Sequence, residues 1–143
     1  MMAPTSGKRR EQAAAAPPLQ LALHRSVDAP GTARAAVSEL CGELGLNGSL
    51  RQTLVLLVSE VVSNAVLHSC GPTDAHIGLT AEVGEDAVRV TVTDAGEGFV
   101  PGRRDPTRAE GGYGLYLVEK ASSRWGVDPS GPTSVWFELP LNP

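Results

Sequence analysis

The sequence predicts an α+β fold, a two-layer α/β sandwich in which a mixed, mostly antiparallel sheet carries its helices on one face. Three observations predict it. Leu50 to Ser69 places Leu54, Leu57, Val58, Val61, Val62, Ala65 and Val66 at helical spacing, as a core-facing helix requires. Ala75 to Val83 and Ala87 to Thr93 alternate in polarity on either side of Gly84-Glu85-Asp86, which reads as a hairpin. The whole order, βαα-ββ-α-β, lets consecutive strands pair while the helices gather on one side.

Taken in order, Met1 to Pro18 is rich in Ala and Pro, carries Lys8, Arg9 and Arg10 and has no periodicity, so residues 1–18 are expected to form a disordered leader. Residues 19–143 are expected to form a single domain. Leu19 to Val27 sets Leu19, Leu21 and Leu23 against polar neighbours, a strand with one buried face. Asp28 and Pro30-Gly31 break it. A helix is expected from about Thr32 to Leu44, with Gly45 as its C-cap. Asn47 or Ser49 suits the N-cap of the central helix, and Gly71-Pro72 stops that helix. Beyond the hairpin, Val100 to Glu110 is a long irregular stretch. Leu115 to about Arg124 reads as a helix and Ser134 to Leu139 as the closing strand.

Composition narrows the function classes. At 143 residues the chain is long enough for one domain with a genuine core. A formal net charge of -4 gives no basis for a nucleic-acid partner or an anionic membrane surface. No uninterrupted apolar run approaches the roughly 20 residues that span a bilayer. The N-terminus lacks the apolar core of a secretory signal, and Cys41 and Cys70 read as reduced structural thiols of a cytoplasmic protein. His24, His68 and His76 are scattered along the chain, and no Cys or His stands at ligand spacing from another, which argues against a metal site built from them.

Three stations carry chemistry. In the first, Glu60, Asn64 and His68 fall four residues apart along the border of the apolar arc of the central helix. Polar groups there are costly unless protein, water or a ligand satisfies them. The second is Asp94-Ala95-Gly96-Glu97-Gly98 at a strand end. A carboxylate there accepts a hydrogen bond from an exocyclic amine such as that of adenine, and glycines let backbone approach a ligand; the same residues also make an ordinary turn. The third is Gly112-Tyr113-Gly114 before a helix, suited to phosphate or simply to starting that helix. Arg103, Arg104 and Arg108 precede it, in a stretch long enough to be a lid. No Gly-Lys-Ser/Thr follows the glycines, so this is not a Walker A loop.

With these stations in one chain the central helix gains a chemical reading. An Asn amide oxygen is a hard ligand suited to Mg²⁺, which takes one or two protein groups together with phosphate oxygens and water. Glu60, one turn away, stands where a base would accept the proton of an attacking hydroxyl near a γ-phosphate. Duller roles stay open: Glu60 pairing with a lid arginine, Asn64 capping backbone, His68 closing a helix end.

LLVSEVVSNAVLHS, DAGEGF and GGYGLYLV, in this order and with the closing RWGVDPSGPTSVWFELP, resemble the boxes of the Bergerat ATP-binding fold of gyrase, Hsp90, histidine kinases and MutL. Within that fold the chain is similar to the stand-alone anti-sigma factor serine/threonine kinases of bacteria, over roughly Leu19 to Pro140. The resemblance implies ATP and Mg²⁺ as cofactors, Asn64 as the Mg²⁺ ligand and Glu60 as the general base. It implies Asp94 for adenine, Gly96 and Gly98 for the adenine pocket, Gly112 and Gly114 for the phosphate side, and Thr133 in support of the adenine contact. It also implies a sigma factor and an anti-sigma factor antagonist as partners, and a homodimer. Tyr113 departs from the Arg or Met frequent at that position.

Two other function classes compete. One is a nucleotide-binding regulatory module that sequesters a protein without phosphoryl transfer. The other is the detached catalytic domain of a sensor histidine kinase, disfavoured because no phospho-accepting His on a preceding dimerisation helix is found.

Overall fold

The structure, a computed structural model, describes residues 17–46, 48–68, 76–94, 113–128 and 132–142. The leader up to residue 16, Asn47, Cys70, Gly96, Gly98, Gly112 and the Val100 to Glu110 stretch lie outside the described residues, as does the side chain of His68. The described elements are β1 (Leu19–His24), α1 (Ala29–Leu44), α2 (Gly48–His68), β2 (His76–Val83), β3 (Ala87–Asp94), α3 (Tyr113–Ala121), β4 (Arg124–Asp128) and β5 (Ser134–Pro140).

The strands form one sheet in the order β1-β2-β3-β5-β4. Every pairing is antiparallel, so the mixed character expected of the sheet is absent among the described strands. β3 lies at the centre, and all three helices pack on the same side: α1 on β1 and α2, α2 across β2, β3 and β5, and α3 on α2 and β4. Strand alternation fixes the layers. Ile77, Leu79, Ala81, Val88, Val90, Val92, Val135, Phe137 and Leu139 face the helices and are buried. They meet Leu54, Leu57, Val58, Val61, Val62 and Ala65 of α2, none of which is exposed. Each fully buried Val, Leu or Phe contributes about 1.5–3 kcal/mol relative to exposure.

Of the boundaries that differ from expectation, three have clear local reasons. α1 begins at Ala29, because Pro30 occupies its first turn, where a missing N–H costs nothing and the fixed φ suits a helix. It ends as expected at Gly45, at φ 71, with the Leu46 N–H donating 2.8 Å to the Cys41 carbonyl. β1 stops at His24, since Ser26 turns the chain by accepting the Ala29 N–H on its carbonyl and the Asp28 N–H on its hydroxyl. The largest difference is β4, expected to be the end of a helix. α3 ends at Ala121, and both the N–H and the hydroxyl of Ser123 donate to the Glu138 carbonyl, swinging Arg124–Asp128 into the sheet edge.

α2 qualifies by length and composition as a membrane-spanning helix, with a mean hydropathy of 1.4 over Gly48–Leu67, although its longest unbroken apolar run is only Leu54 to Val58. Its apolar arc is taken up by the sheet, which makes it the core helix of this fold. Cys41 is a free thiol buried beneath α1, as expected of a structural cysteine. Desolvation pushes its pKa above the ordinary 9.0, against the pull of the Arg51 guanidinium.

The sheet's other face carries Trp136, whose indole lies flat across Gly126 with the Arg89 guanidinium 4.0 Å above its ring centre. Glu138 sits 3.6 Å from both Arg89 and Arg124. A Cβ at Gly126 would stand 2.8 Å from the indole nitrogen. Gly126→Ala is therefore expected to lift the indole off β4 and lower stability by about 1–3 kcal/mol, read as a lower urea midpoint with an unchanged m-value.

Candidate functional site

Among the described residues, the buried polar side chains are Asn64, Asp94 and Thr133. All three come from the residues picked out in the sequence, and the fold explains why each is buried. In α2, Val61, Val62 and Ala65 must face the sheet, and Asn64 falls within the same arc at 5% exposure. In β3, Val88, Val90, Val92 and Asp94 share one parity, so the register that buries the valines also carries a carboxylate to the helix side, fully buried. Thr133 immediately precedes β5, and its carbonyl accepts the Asp94 N–H at 2.9 Å. Behind that contact, on the opposite sheet face, the hydroxyls of Thr93 and Ser134 are 2.8 Å apart. The ends of β3 and β5 are thus pinned together from both sides.

The amide nitrogen of Asn64 is buried and has no hydrogen-bond partner among the described residues. Leaving such a donor unmade costs about 1–3 kcal/mol. A buried carboxylate and an amide nitrogen with no partner among the described residues, both on packed elements, suit a polar ligand, and the chemistry of the set fits a nucleotide. A carboxylate accepts from an exocyclic amine, and an amide donates to or coordinates around phosphate and its cation. Glu60 lies one turn before Asn64 and is only half-buried, so its carboxylate reaches solvent at the border of the same helix. Gly114 falls in the first turn of α3, as expected for a helix-opening glycine.

The structure also assembles a feature missed in the sequence. α1 and α2 form an outer groove of about 460 Å³, lined by Arg34, Ser38, Arg51, Val55, Leu56 and Ser59, the last being the chain neighbour of Glu60. Arginine and serine are exchanged across it: Arg34 donates to the Ser59 hydroxyl at 2.8 Å, and Arg51 donates to the Ser38 carbonyl at 2.9 Å and to its hydroxyl. Leu56 is 48% exposed within it. The signal in the sequence was a pair of i, i+4 stripes, Arg34/Ser38 and Arg51/Val55/Ser59, whose meaning depends on the antiparallel pairing of the helices.

A family model described as the histidine kinase-like ATPase domain matches residues 24–137. The chain belongs to that family. A serine-protein kinase RsbW of Oceanobacillus iheyensis is 28% identical over 116 residues, covering 68% of this chain and 73% of the relative. The crystal structure of the RsbU and RsbW domains of a Mycobacterium tuberculosis protein superposes with a TM-score of 0.67 at 28% identity, over 87% of this chain. This chain spans 32% of that longer one. Both relatives carry the RsbW name, and the antiparallel sheet with its helices on one face agrees with the structural match over most of the chain.

The partnerless amide nitrogen of Asn64 distinguishes two roles for the residue. A residue kept for the fold would be harmed by losing its polarity, whereas one kept for a ligand would not. Asn64→Leu is expected to raise the urea midpoint of the ligand-free protein, by up to about 1–3 kcal/mol in stability, while removing nucleotide-dependent stabilisation. A lower midpoint would mark Asn64 as a structural residue.

Proposed function

We propose that the chain is an ATP-dependent protein serine/threonine kinase of the anti-sigma type. It would act in the cytoplasm on an anti-sigma factor antagonist and control transcription by holding a sigma factor. The observation that carries this reading is the buried trio of Asn64, Asp94 and Thr133, with the amide nitrogen of Asn64, a donor suited to a phosphate oxygen, left without a partner among the described residues. Membership of a kinase-like ATPase family and the likeness to a serine-protein kinase support it.

In this reading Asp94 accepts a hydrogen bond from the adenine amine, and its low-dielectric surroundings strengthen that bond relative to water. Thr133 keeps the Asp94 backbone in place and adds its hydroxyl on the adenine side. Asn64 ligates Mg²⁺, which when bound supplies positive charge to the phosphates. Gly96 and Gly98 shape the adenine pocket, and Gly112 and Gly114 give backbone N–H groups to the phosphate side. Glu60 takes the proton of the acceptor serine or threonine hydroxyl, a role that its half-exposed position on α2 permits.

The α1–α2 groove supports the choice of a protein rather than water as acceptor. Ser59, which lines it, is the residue next to Glu60, and Leu56 offers an exposed apolar contact one turn away. A partner segment lying along the groove would reach the base without entering the core.

Two outcomes test the assignment. Glu60→Gln should retain Mg·ATP-dependent thermal stabilisation and lose about 10²–10⁴-fold in phosphoryl transfer to the antagonist, followed with labelled ATP. An Asn64→Ala protein that binds Mg·ATP and phosphorylates normally would overturn the site. If wild type binds nucleotide but labels no antagonist, the chain is a sequestering module instead. Separately, Leu56→Glu should raise KM for the protein substrate and leave nucleotide binding at its wild-type value.

A further inference from the structure

The scattered histidines of the sequence do not stay scattered. The antiparallel register of β1 and β2 makes His24 and His76 direct Cα partners at the last rung of the ladder. The alternation that sends Leu19, Leu21 and Leu23 of β1, and Ile77, Leu79 and Ala81 of β2, toward the helices sends both imidazoles to the opposite face, where both are exposed. Their ring centres are 5.1 Å apart and their planes are inclined by 39°.

We propose that His24 and His76 form a two-imidazole chelate for a late first-row divalent metal ion, of the class Cu²⁺, Ni²⁺ or Zn²⁺. The separation is what such a chelate needs. With metal–nitrogen bonds of about 2.0–2.1 Å, two imidazoles on one tetrahedral ion place their ring centres about 5 Å apart. The inclined planes keep the rings out of a face-to-face stack, and χ2 is a soft torsion about which each exposed ring can turn a nitrogen toward a shared ion. Both imidazoles are anchored on paired strands, so neither needs the backbone to move. No third Cys, Asp, Glu or His completes a metal-binding cluster among the described residues, which leaves the other coordination positions to water or to a ligand from outside. Imidazole ligation selects Cu²⁺, Ni²⁺ and Zn²⁺ over Mg²⁺ and Ca²⁺, whose ligands are oxygen.

The place has a structural consequence. His76 precedes Ile77, and Ile77 is the Cα partner of Asp94. A metal bridging His24 to His76 would tie the edge strand β1 to β2 at the end of the sheet where Asp94 lies. It would do so from the face opposite the buried carboxylate.

The test is calorimetric titration of the untagged full-length chain with Cu²⁺, Ni²⁺ and Zn²⁺ in a non-chelating buffer, in excess Mg²⁺. It is repeated on His24→Asn and His76→Asn, with circular dichroism confirming that each variant is folded. The expected result is one saturable site in wild type, tightest for Cu²⁺, and about tenfold or greater weakening in each single variant, equivalent to about 1.4 kcal/mol or more. In parallel, the ring C–H resonances of two histidines should shift or broaden together with one equivalent of Zn²⁺. Equal affinity in wild type and in either variant overturns the proposal, and so does the absence of saturable binding in wild type.

Discussion

The burial of α2 against the sheet is the constraint on which the rest of the molecule depends. Leu54, Leu57, Val58, Val61, Val62 and Ala65 cover the central strands, and Asn64 is carried inward with them. Turning the helix enough to bring the Asn64 amide into solvent would withdraw Val61 or Val62 from the core. Each of those valines contributes about 1.5–3 kcal/mol by its burial, whereas one unmade amide hydrogen bond costs about 1–3 kcal/mol. Together the apolar contacts win, so the fold holds a buried donor at one fixed place.

The sheet applies the same logic from the other side. A strand with period 2 cannot bury Val88, Val90 and Val92 without also sending Asp94 inward. The cost is that of a desolvated carboxylate, and it falls where the β3–β5 pairing is pinned by the Asp94 N–H to Thr133 bond and by the Thr93–Ser134 hydroxyl contact. The outward parity takes the opposite role. It sets the half-buried Trp136 between arginines and brings His24 to His76, so the two faces of one sheet carry unrelated chemistry.

Much of this was legible in the sequence, and the reasons are particular. Periodicity identified α2 and the β2–β3 hairpin because each has one strongly apolar face. The Glu60/Asn64 border and the Asp94 strand end were legible because polar residues interrupt those faces. β4 was not, since Arg124–Asp128 is short, contains a glycine and follows a helix with only Ser122 and Ser123 between them. The Arg34–Ser59 and Arg51–Ser38 exchange was not, because it exists only once two helices lie antiparallel. The histidine pair escaped for a related reason: residues 24 and 76 meet through sheet register, which ligand spacing along the chain does not report.

Binding and phosphoryl transfer stand on different footings in this architecture. Asn64, Asp94 and Thr133, proposed above for nucleotide binding, are buried in the core, so the fold both fixes them and bears the cost of burying them. Glu60 is different: half-exposed, next to a groove rather than within the core, and replaceable without opening a cavity. A protein of this shape could lose the transfer step by changing Glu60 and keep its nucleotide site and its stability. Losing binding would require changing residues whose surroundings were built around them. In the proposed reading the buried trio therefore bears on nucleotide binding and Glu60 on transfer, and the acceptor's approach along α1 and α2 would govern whether that carboxylate meets a protein hydroxyl or only water.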